Sequence, residues 1–289
     1  MQKHTTPAAP PSKAPATPSS TTDLLPPLTK TQVPLSNTTS LTLVHVSDPK
    51  SGTFSKSKKQ CDLWEYVWGT SLLFCRLLYQ LPLHEHMSVL EVGCGSALCG
   101  LSCALKGATV LSTDLVKDSV TIAQQSATAN GITNITFDSR NWEKLPQFET
   151  NHFDIVLGSD VLFYRGAAPY VAKVIHQSMK EHGCALIADP VRLNVDDFCS
   201  RLDDLGCVTH VRQFIDSNVS IANISVLTED KEAFVKLTKA KLVVVQRRHR
   251  GEEKEMGGGS SGGGSASTSA NAIVNAILAM TEPFVSDEE

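Results

Sequence analysis

Ser88 to Gly100 reads Ser-Val-Leu-Glu-Val-Gly-Cys-Gly-Ser-Ala-Leu-Cys-Gly, and this stretch decides the fold. Its first residues form a short apolar run, as a buried parallel strand would. Gly93 and Gly95 then allow a tight turn in which the backbone can approach a ligand closely. The residues from Ala97 to Lys106 have helical spacing, and the free amide hydrogens at that helix start would face the ligand. The stretch therefore predicts a strand, a glycine turn and a helix around a binding site.

A second apolar run ends in a carboxylate, Asp114, which lies 21 residues after Gly93. A carboxylate at that point can accept hydrogen bonds from a ribose diol. The dinucleotide fingerprint would need a third glycine at position 98, which is Leu98. The Gly-Lys-Ser/Thr of a phosphate-binding loop is also missing from this stretch. The pattern indicates a nucleoside site and disfavours a nicotinamide dehydrogenase.

Apolar runs and helical spacings alternate along most of the remaining chain. Two of the runs end in acids, Asp160 and Asp189, as strands that lead into a ligand site often do. Other strands are predicted at residues 41–46, 135–137, 208–215, 219–227 and 242–246. Helices are predicted at residues 70–81, 97–106 and 117–130, with one more running through Met179 and ending before Gly183. The alternation predicts an α/β fold, a doubly wound, Rossmann-like sheet of seven mostly parallel strands with helices on both faces.

Composition argues against nucleic acid, membranes and metal ions as binding partners. The 289 residues carry a formal net charge of −4, which does not favour nucleic acid or anionic membranes as partners. No apolar run approaches the roughly 20 residues of a membrane helix. The eight cysteines include no Cys-x-x-Cys pair, so we expect buried thiols in a reducing compartment and no metal site. No secretory signal is visible, which favours a cytoplasmic or nuclear location, with mitochondrial import as the alternative.

Two segments of different composition flank the predicted domain, residues 40–250. Residues 1–39 are rich in Pro, Ser and Thr, which predicts a disordered tail. Residues 251–289 contain a Gly/Ser linker, from Gly257 to Ser269, followed by a short helix candidate from Ala270 to Met280. Eleven residues are too few to fold alone, so we expect this helix to be disordered unless it docks on a partner or on its own domain.

Glu91, Gly93, Gly95 and Asp114 together resemble the first motifs of the class I S-adenosylmethionine-dependent methyltransferases. Further stretches resemble methyltransferase family 16, which includes protein-lysine methyltransferases. They are Tyr66-Val67-Trp68, Leu90 to Gly100, Trp142 after the third strand, and Asp160-Val161-Leu162-Phe163 after the fourth. The chain departs from the family pattern at Phe163, where Tyr is commoner, and at Asn141, where Asp often precedes the Trp. The resemblance covers roughly residues 40 to 247.

The resemblance implies S-adenosylmethionine as the cofactor and a role for each matching residue. Asp114 would hold the ribose, Trp142 would lie against the adenine, and Trp68 and Glu91 would border the methionine end. The implied cofactor-binding residues are Trp68, Glu91, Gly93, Gly95, Asp114, Trp142 and Ser159. The implied catalytic residues are Asp160, Tyr164 and Asp189. Trp64 is interpreted as a core aromatic residue.

The implied substrate is a protein side chain, and acid–base chemistry bears on which one. An acceptor amine must be neutral, and for a lysine of pKa ~10.4 deprotonation at pH 7 costs about 4.6 kcal/mol. For arginine the cost is at least about 7.5 kcal/mol, so paired acids such as Asp160 with Asp189 would be needed. We therefore favour lysine. Arginine, a small-molecule acceptor, or a cofactor-binding interaction module without turnover are the alternatives.

Overall fold

The computed structural model of the chain describes residues 25–47, 62–163, 166–190, 194–215, 239–248 and 269–283. A hairpin comes first, built from β1 (Leu28–Pro34) and β2 (Ser40–Val46) in antiparallel pairing. A short 3-10 helix, Asp62–Glu65, then leads towards the main domain. The predicted strand at residues 219–227 lies outside the described residues.

Helices and strands alternate from residue 69 onward, as the sequence predicts. They are α1 (Gly69–Gln80), β3 (Ser88–Val92), α2 (Leu98–Leu105), β4 (Thr109–Asp114), α3 (Lys117–Ala129), β5 (Ile135–Ser139), β6 (Phe153–Ser159), α4 (Ala167–Ser178), β7 (Met179–Asp189), α5 (Asn194–Asp204), β8 (Cys207–Ile215), β9 (Lys239–Arg247), α6 (Ser269–Met280) and β10 (Glu282–Pro283). A second 3-10 helix, Leu145–Gln147, lies between β5 and β6. Among these described helices, none has both the length and the apolar character that crossing a membrane requires.

The main sheet has the strand order β10-β8-β9-β7-β6-β3-β4-β5. The five strands from β7 to β5 pair in parallel, whereas β9 is antiparallel to both β7 and β8. The glycine turn follows β3, which is central, with Leu90 paired to Leu111 on one side and Val156 on the other. The predicted Rossmann-like fold is confirmed. Its seven strands are β3 to β9, and the two-residue β10 adds an eighth.

Two apolar cores lie on opposite faces of this sheet. One core packs against α1, α2, α3 and α6, and the other packs against α4 and α5. The alternation along β7 shows the division, because Leu186 faces the first core and Ile187 faces the second. This period of two is what a strand buried on both faces requires.

The hairpin corrects the predicted boundary at residue 40. β1 lies inside the segment predicted to be a disordered tail, and that prediction is wrong for residues 28–34. Side chains at the end of α3 and just after it fix the other edge of β2, since Ser126 Oγ and Asn130 Oδ1 accept hydrogen bonds from the N–H groups of Val44 and Thr42. These contacts span more than 80 residues, so local composition could not reveal them. Residues 1–24 of the predicted tail lie outside the described residues.

The boundary between α4 and β7 also differs from the prediction. The helix was expected to include Met179, but it ends at Ser178 and the strand begins at the next residue. Met179 is fully buried opposite Phe153 in β6, and the register of the two strands shifts just after this pair. Met179 continues the helical spacing of apolar residues but belongs to the strand. Spacing alone does not separate the two cases, because a helix and a strand would each bury this side chain.

The C-terminal helix α6 packs on its own domain, so the expectation of disorder is wrong for residues 269–283. Its apolar side chains Ala270, Ile273, Val274 and Ile277 are buried in the first core. Arg212 on β8 donates to the carbonyl oxygens of Leu278, at 3.1 Å, and Thr281 at the carboxyl end of the helix. The sheet supplies the apolar surface that a helix of eleven residues cannot provide by itself. The helix face that could have docked on a partner packs on the chain's own domain.

Candidate functional site

A cavity opens at the carboxyl ends of β3, β4 and β6, where the glycine turn meets the loops that follow the other strands. Eight of the ten predicted site residues line it: Trp68, Glu91, Gly93, Gly95, Asp114, Trp142, Ser159 and Asp160. In the sequence these residues span more than 90 positions. The parallel sheet brings them together because the carboxyl ends of its strands share one edge.

One predicted catalytic residue, Asp189, does not join this group. Asp189 is fully buried at the end of β7 and is not part of the cavity lining. Since Ala185 and Ile187 face the second core, the period of the strand directs Asp189 towards that core too. The expectation that Asp160 and Asp189 both face the acceptor is therefore corrected, and Asp160 alone lines the cavity. Tyr164 lies outside the described residues.

The glycine turn has a backbone that glycine favours. Gly93 and Gly95 have φ angles of 61° and 49°, in the left-handed region, and Ala97 follows with 57°. A Cβ on Gly93 would lie 2.9 Å from Val161 Cγ1 and 3.2 Å from the ring of Trp142. A Cβ on Gly95 would meet nothing within 4 Å, so this residue borders open space. Gly93 is needed for packing, whereas Gly95 leaves room for a ligand.

Glu91 lies buried beneath the glycine turn. Its carboxylate accepts a hydrogen bond from Ser112 Oγ at 2.6 Å and one from the backbone N–H of Gly100. A Cβ on Gly100 would lie 2.3 Å from Glu91 Oε2, so only glycine leaves space for the carboxylate. Burial is the main cause that raises the pKa of Glu91 to about 7, and Asp114 adds to it. Near neutral pH this group can therefore hold or release a proton.

Asp114 connects β4 to the glycine turn. Its two carboxylate oxygens accept hydrogen bonds from the backbone N–H groups of Gly95 and Val116, each at 2.9 Å. Burial raises the pKa of Asp114, and hydrogen bonds from Val116, Gly95, Ser119 and Leu115 oppose that effect. The carboxylate is thus held in a fixed direction at the edge of the cavity.

Aromatic side chains form the walls of the cavity. Trp68 precedes α1, and its ring lies 6.0 Å from that of Tyr66 at an angle of 54°. Trp64 also lines the cavity, although we predicted a core position, and it packs on the hairpin side as well. The ring of Phe163 is 41% exposed at the rim. Aromatic faces of this kind attract cations as well as flat heterocycles.

Asp160 follows β6 directly and has an unusual backbone. Its φ angle is 58°, and its N–H donates to the carbonyl of Ala188 on the neighbouring strand at 2.9 Å. A left-handed conformation at a residue other than glycine is uncommon, and such residues cluster at functional sites. The turn directs the chain out of the sheet where the cavity begins, and the carboxylate of Asp160 lines the cavity there.

Two cysteine thiols, of Cys94 and Cys99, also line the cavity. Burial raises the pKa of both well above the ordinary range, so they are thiols and not thiolates at neutral pH. All the cysteines that the structure describes are free. Such thiols are weak nucleophiles, and they contribute small apolar surface to the cavity.

Sequence reasoning missed several residues of the site. Arg140 and Phe148 line the cavity, and Ser112 and Gly100 hold the carboxylate of Glu91. Gly100 ends the stretch from Ser88 to Gly100, so its spacing from Gly93 and Gly95 was a usable signal. For Arg140 no local signal exists, because its position depends on a partner nine residues away, Glu149.

Comparison with known proteins identifies a family. Residues 83–240, more than half of the chain, match the model of a family described as a methyltransferase domain. A search of the curated proteins gave no match.

Solved structures share the fold at low sequence identity. The YcgJ protein from Bacillus subtilis is 14% identical, with 60% of this chain and 97% of that chain covered and a TM-score of 0.45. A TehB-like SAM-dependent methyltransferase from Corynebacterium glutamicum is 15% identical, with 63% and 89% covered and a TM-score of 0.44. A precorrin-6y C5,15-methyltransferase from Geobacter metallireducens is 12% identical, with 59% and 84% covered and a TM-score of 0.44. These likenesses concern the fold alone.

Proposed function

This chain belongs to the methyltransferase domain family, and on that premise we propose that it transfers a methyl group to a lysine amine of a protein substrate. We infer that S-adenosylmethionine is its cofactor, since the family is that of a methyltransferase domain and the residues that line the cavity fit this group. One observation carries the finer proposal. Of the carboxylates that line the cavity, Glu91 and Asp114 lie around the glycine turn, and Asp160 alone stands apart from them after β6.

The residues present fit the cofactor. Open space beside Gly95 leaves room for it, and Asp114 presents a fixed carboxylate for the ribose hydroxyls. We assign Trp142 to the adenine, and Trp68 with Glu91 to the cationic methionine end. When bound, S-adenosylmethionine supplies a methyl group activated by a positive sulfonium, which suits the aromatic and acidic lining. Ser159 borders the same cavity.

Asp160 is the residue proposed to contact the acceptor. Its carboxylate accepts hydrogen bonds from an amine and so aligns the nitrogen for transfer; alignment of this kind can remove about 7–11 kcal/mol of a barrier. The same contact favours the charged amine, so the proton leaves to water or another base before the methyl group moves. Exposure of the Phe163 ring beside this position supports an acceptor that enters from solvent.

The burial of Asp189 supports lysine over arginine. An arginine acceptor needs its charge neutralised by paired acids, because deprotonation of guanidinium costs at least about 7.5 kcal/mol at pH 7. Asp189 would have been the second acid, but it is fully buried and does not line the cavity. A single carboxylate suits an amine, whose deprotonation costs about 4.6 kcal/mol.

Replacing Asp114 by Asn is expected to weaken binding of S-adenosylhomocysteine about 10- to 150-fold. The charge-assisted hydrogen bonds that it would lose contribute roughly 1.5–3 kcal/mol. Isothermal titration calorimetry measures the dissociation constant directly. Asp118→Asn is the matched control, since Asp118 is exposed on the first turn of α3. An Asp114→Asn variant that binds as tightly as the wild type would contradict the ribose assignment.

The acceptor is tested by methylating cell extract with S-adenosylmethionine labelled in the methyl group. The wild-type enzyme, Asp160→Asn and the exposed control Asp204→Asn are compared, and modified peptides are identified by mass spectrometry. We expect labelled lysine with the wild type and the control, and a strong loss with Asp160→Asn. Label on arginine or on small molecules would replace the lysine proposal. Cofactor binding without any labelled product would indicate a binding module.

A further inference from the structure

We propose that Arg140 and Glu149 form a clasp that positions the indole of Trp142 in the cavity wall, and that cofactor affinity depends on this ion pair. The inference rests on the proposed function, in which the adenine lies against Trp142. It makes Arg140 and Glu149 positioning residues, which act on the cofactor through another side chain.

The clasp has a directional geometry. Arg140 Nη1 donates to Glu149 Oε2 at 2.6 Å, and Nη2 donates to Glu149 Oε1 at 3.0 Å. Arg140 Nε donates to Asp138 at 2.9 Å, and its guanidinium lies 5.7 Å from the ring centroid of Phe148. Two planar groups joined by two parallel bonds fix orientation as well as distance. The pair therefore fixes the two ends of the segment between them.

The segment that the clasp closes is the Trp142 loop, residues 140–149. Inside it, the N–H of Asn141 donates to Gln147 Oε1 at 2.9 Å. From outside it, Gln177 on α4 donates to two carbonyl oxygens of the loop, at 3.1 and 2.6 Å. Gln177 thus ties the loop to α4, and the clasp joins the two ends of the loop.

The Trp142 indole belongs to the loop that the clasp closes, and it lies against the glycine turn. Its ring packs against Gly93, and it also contacts the second core. The N–H of Arg140 donates to the carbonyl oxygen of Asp114 at 2.9 Å, so the clasp begins beside the residue assigned to the ribose. Loosening the clasp would leave the indole free to turn within a half-buried site, and the wall would no longer be fixed before the cofactor arrives.

Burial of the arginine distinguishes this ion pair from an ordinary surface pair. Exposed pairs usually contribute little, but here the Arg140 side chain is 13% exposed, whereas the Glu149 side chain is 41% exposed. The hydrogen bond with Glu149 is the main cause that raises the pKa of Arg140, and the same bond lowers the pKa of Glu149. Both groups are therefore charged at neutral pH.

A double-mutant cycle tests the clasp in the full chain. Arg140→Gln and Glu149→Gln are each expected to weaken S-adenosylhomocysteine binding about tenfold by calorimetry, and the double variant is expected to be no weaker than either single variant. The matched control is Arg201→Gln, which breaks the Arg201–Asp197 pair on the exposed side of α5 and should leave affinity unchanged. In protein labelled with fluorotryptophan, the ¹⁹F resonance assigned through Trp142→Phe should shift or broaden in the clasp variants without ligand.

The possible results distinguish the clasp from a direct contact of Arg140 with the ligand and from a failure of the proposed function. Weaker binding with Arg140→Gln but not with Glu149→Gln would mean that Arg140 contacts the ligand itself, which overturns the clasp. Additive losses in the double variant would overturn it too, as would unchanged affinity in both single variants. Circular dichroism and melting confirm that each variant is folded. A wild-type protein that fails to bind S-adenosylhomocysteine would instead overturn the proposed function, and this inference with it.

Discussion

Asp160→Asn is expected to lower turnover by about 10²-fold or more, because the variant loses the carboxylate that aligns the acceptor amine. Affinity for S-adenosylhomocysteine should stay within a few-fold of the wild type, because the proposed contact of Asp160 is with the acceptor. Asparagine is the suitable replacement, since it has nearly the same shape and tolerates the φ angle of 58° better than alanine would. Label transfer to the identified substrate and calorimetry measure the two quantities separately.

Asp204→Asn serves as the control, because Asp204 is exposed at the end of α5. Both variants should melt near the wild-type temperature. A loss of cofactor affinity in Asp160→Asn comparable to that in Asp114→Asn would show that the two carboxylates are misassigned. Turnover equal to that of the wild type would remove Asp160 from the chemistry altogether.

Glu91→Gln is expected to stabilise the ligand-free protein at pH 8 by up to about 3 kcal/mol, and to have little effect near pH 4.5. The pKa of Glu91 is about 7 in the folded protein, against an ordinary value of 4.5, mainly because of burial. Below the ordinary value the carboxyl is neutral in both states. As pH rises towards 7, the unfolded chain loses this proton first, so the folded state loses stability; above 7 the penalty is constant.

Thermal melting at pH 5 and pH 8 without cofactor measures this effect. The stabilisation corresponds to a rise in Tm of roughly 6–12 °C at pH 8. Glu181→Gln on β7 is the control, because Glu181 is exposed. The same Glu91→Gln variant should bind cofactor more weakly, since it lacks the charge that faces the methionine end. A variant that melts below the wild type at pH 8 would contradict the role given to burial.

Local patterns were sufficient for most of the fold. The apolar run that ends at Val92 and the acid that ends β4 are consequences of buried parallel strands, and both signals lie within a few residues. β1 was missed because its stability comes from pairing with β2, and β2 in turn depends on Ser126 of α3 and on Asn130, the residue after Ala129. Its own composition resembles that of the Pro/Ser/Thr-rich residues before it.

The same distinction between local sequence signals and long-range contacts applies to the site. Residues at strand ends, such as Asp114 and Asp160, are predictable because a parallel sheet collects its carboxyl ends at one edge. That rule correctly places Asp189 at the end of β7. It does not give the direction of the side chain, which depends on the alternation of residues along β7 between the two cores. The contact between Arg140 and Glu149 follows from loop geometry alone, and no periodicity encodes it.

The docking of α6 has a consequence for the protein during its synthesis. The strands that it covers, β6 and β7, are complete at residue 189, but the helix begins only at residue 269. Until a ribosome has released those later residues, part of an apolar sheet face is open to water and to chaperones. A message that stops between residues 248 and 269 would yield a chain with every strand from β3 to β9 and an uncovered core. We expect such a chain to be less stable than the full-length protein and to be cleaved more readily by proteases.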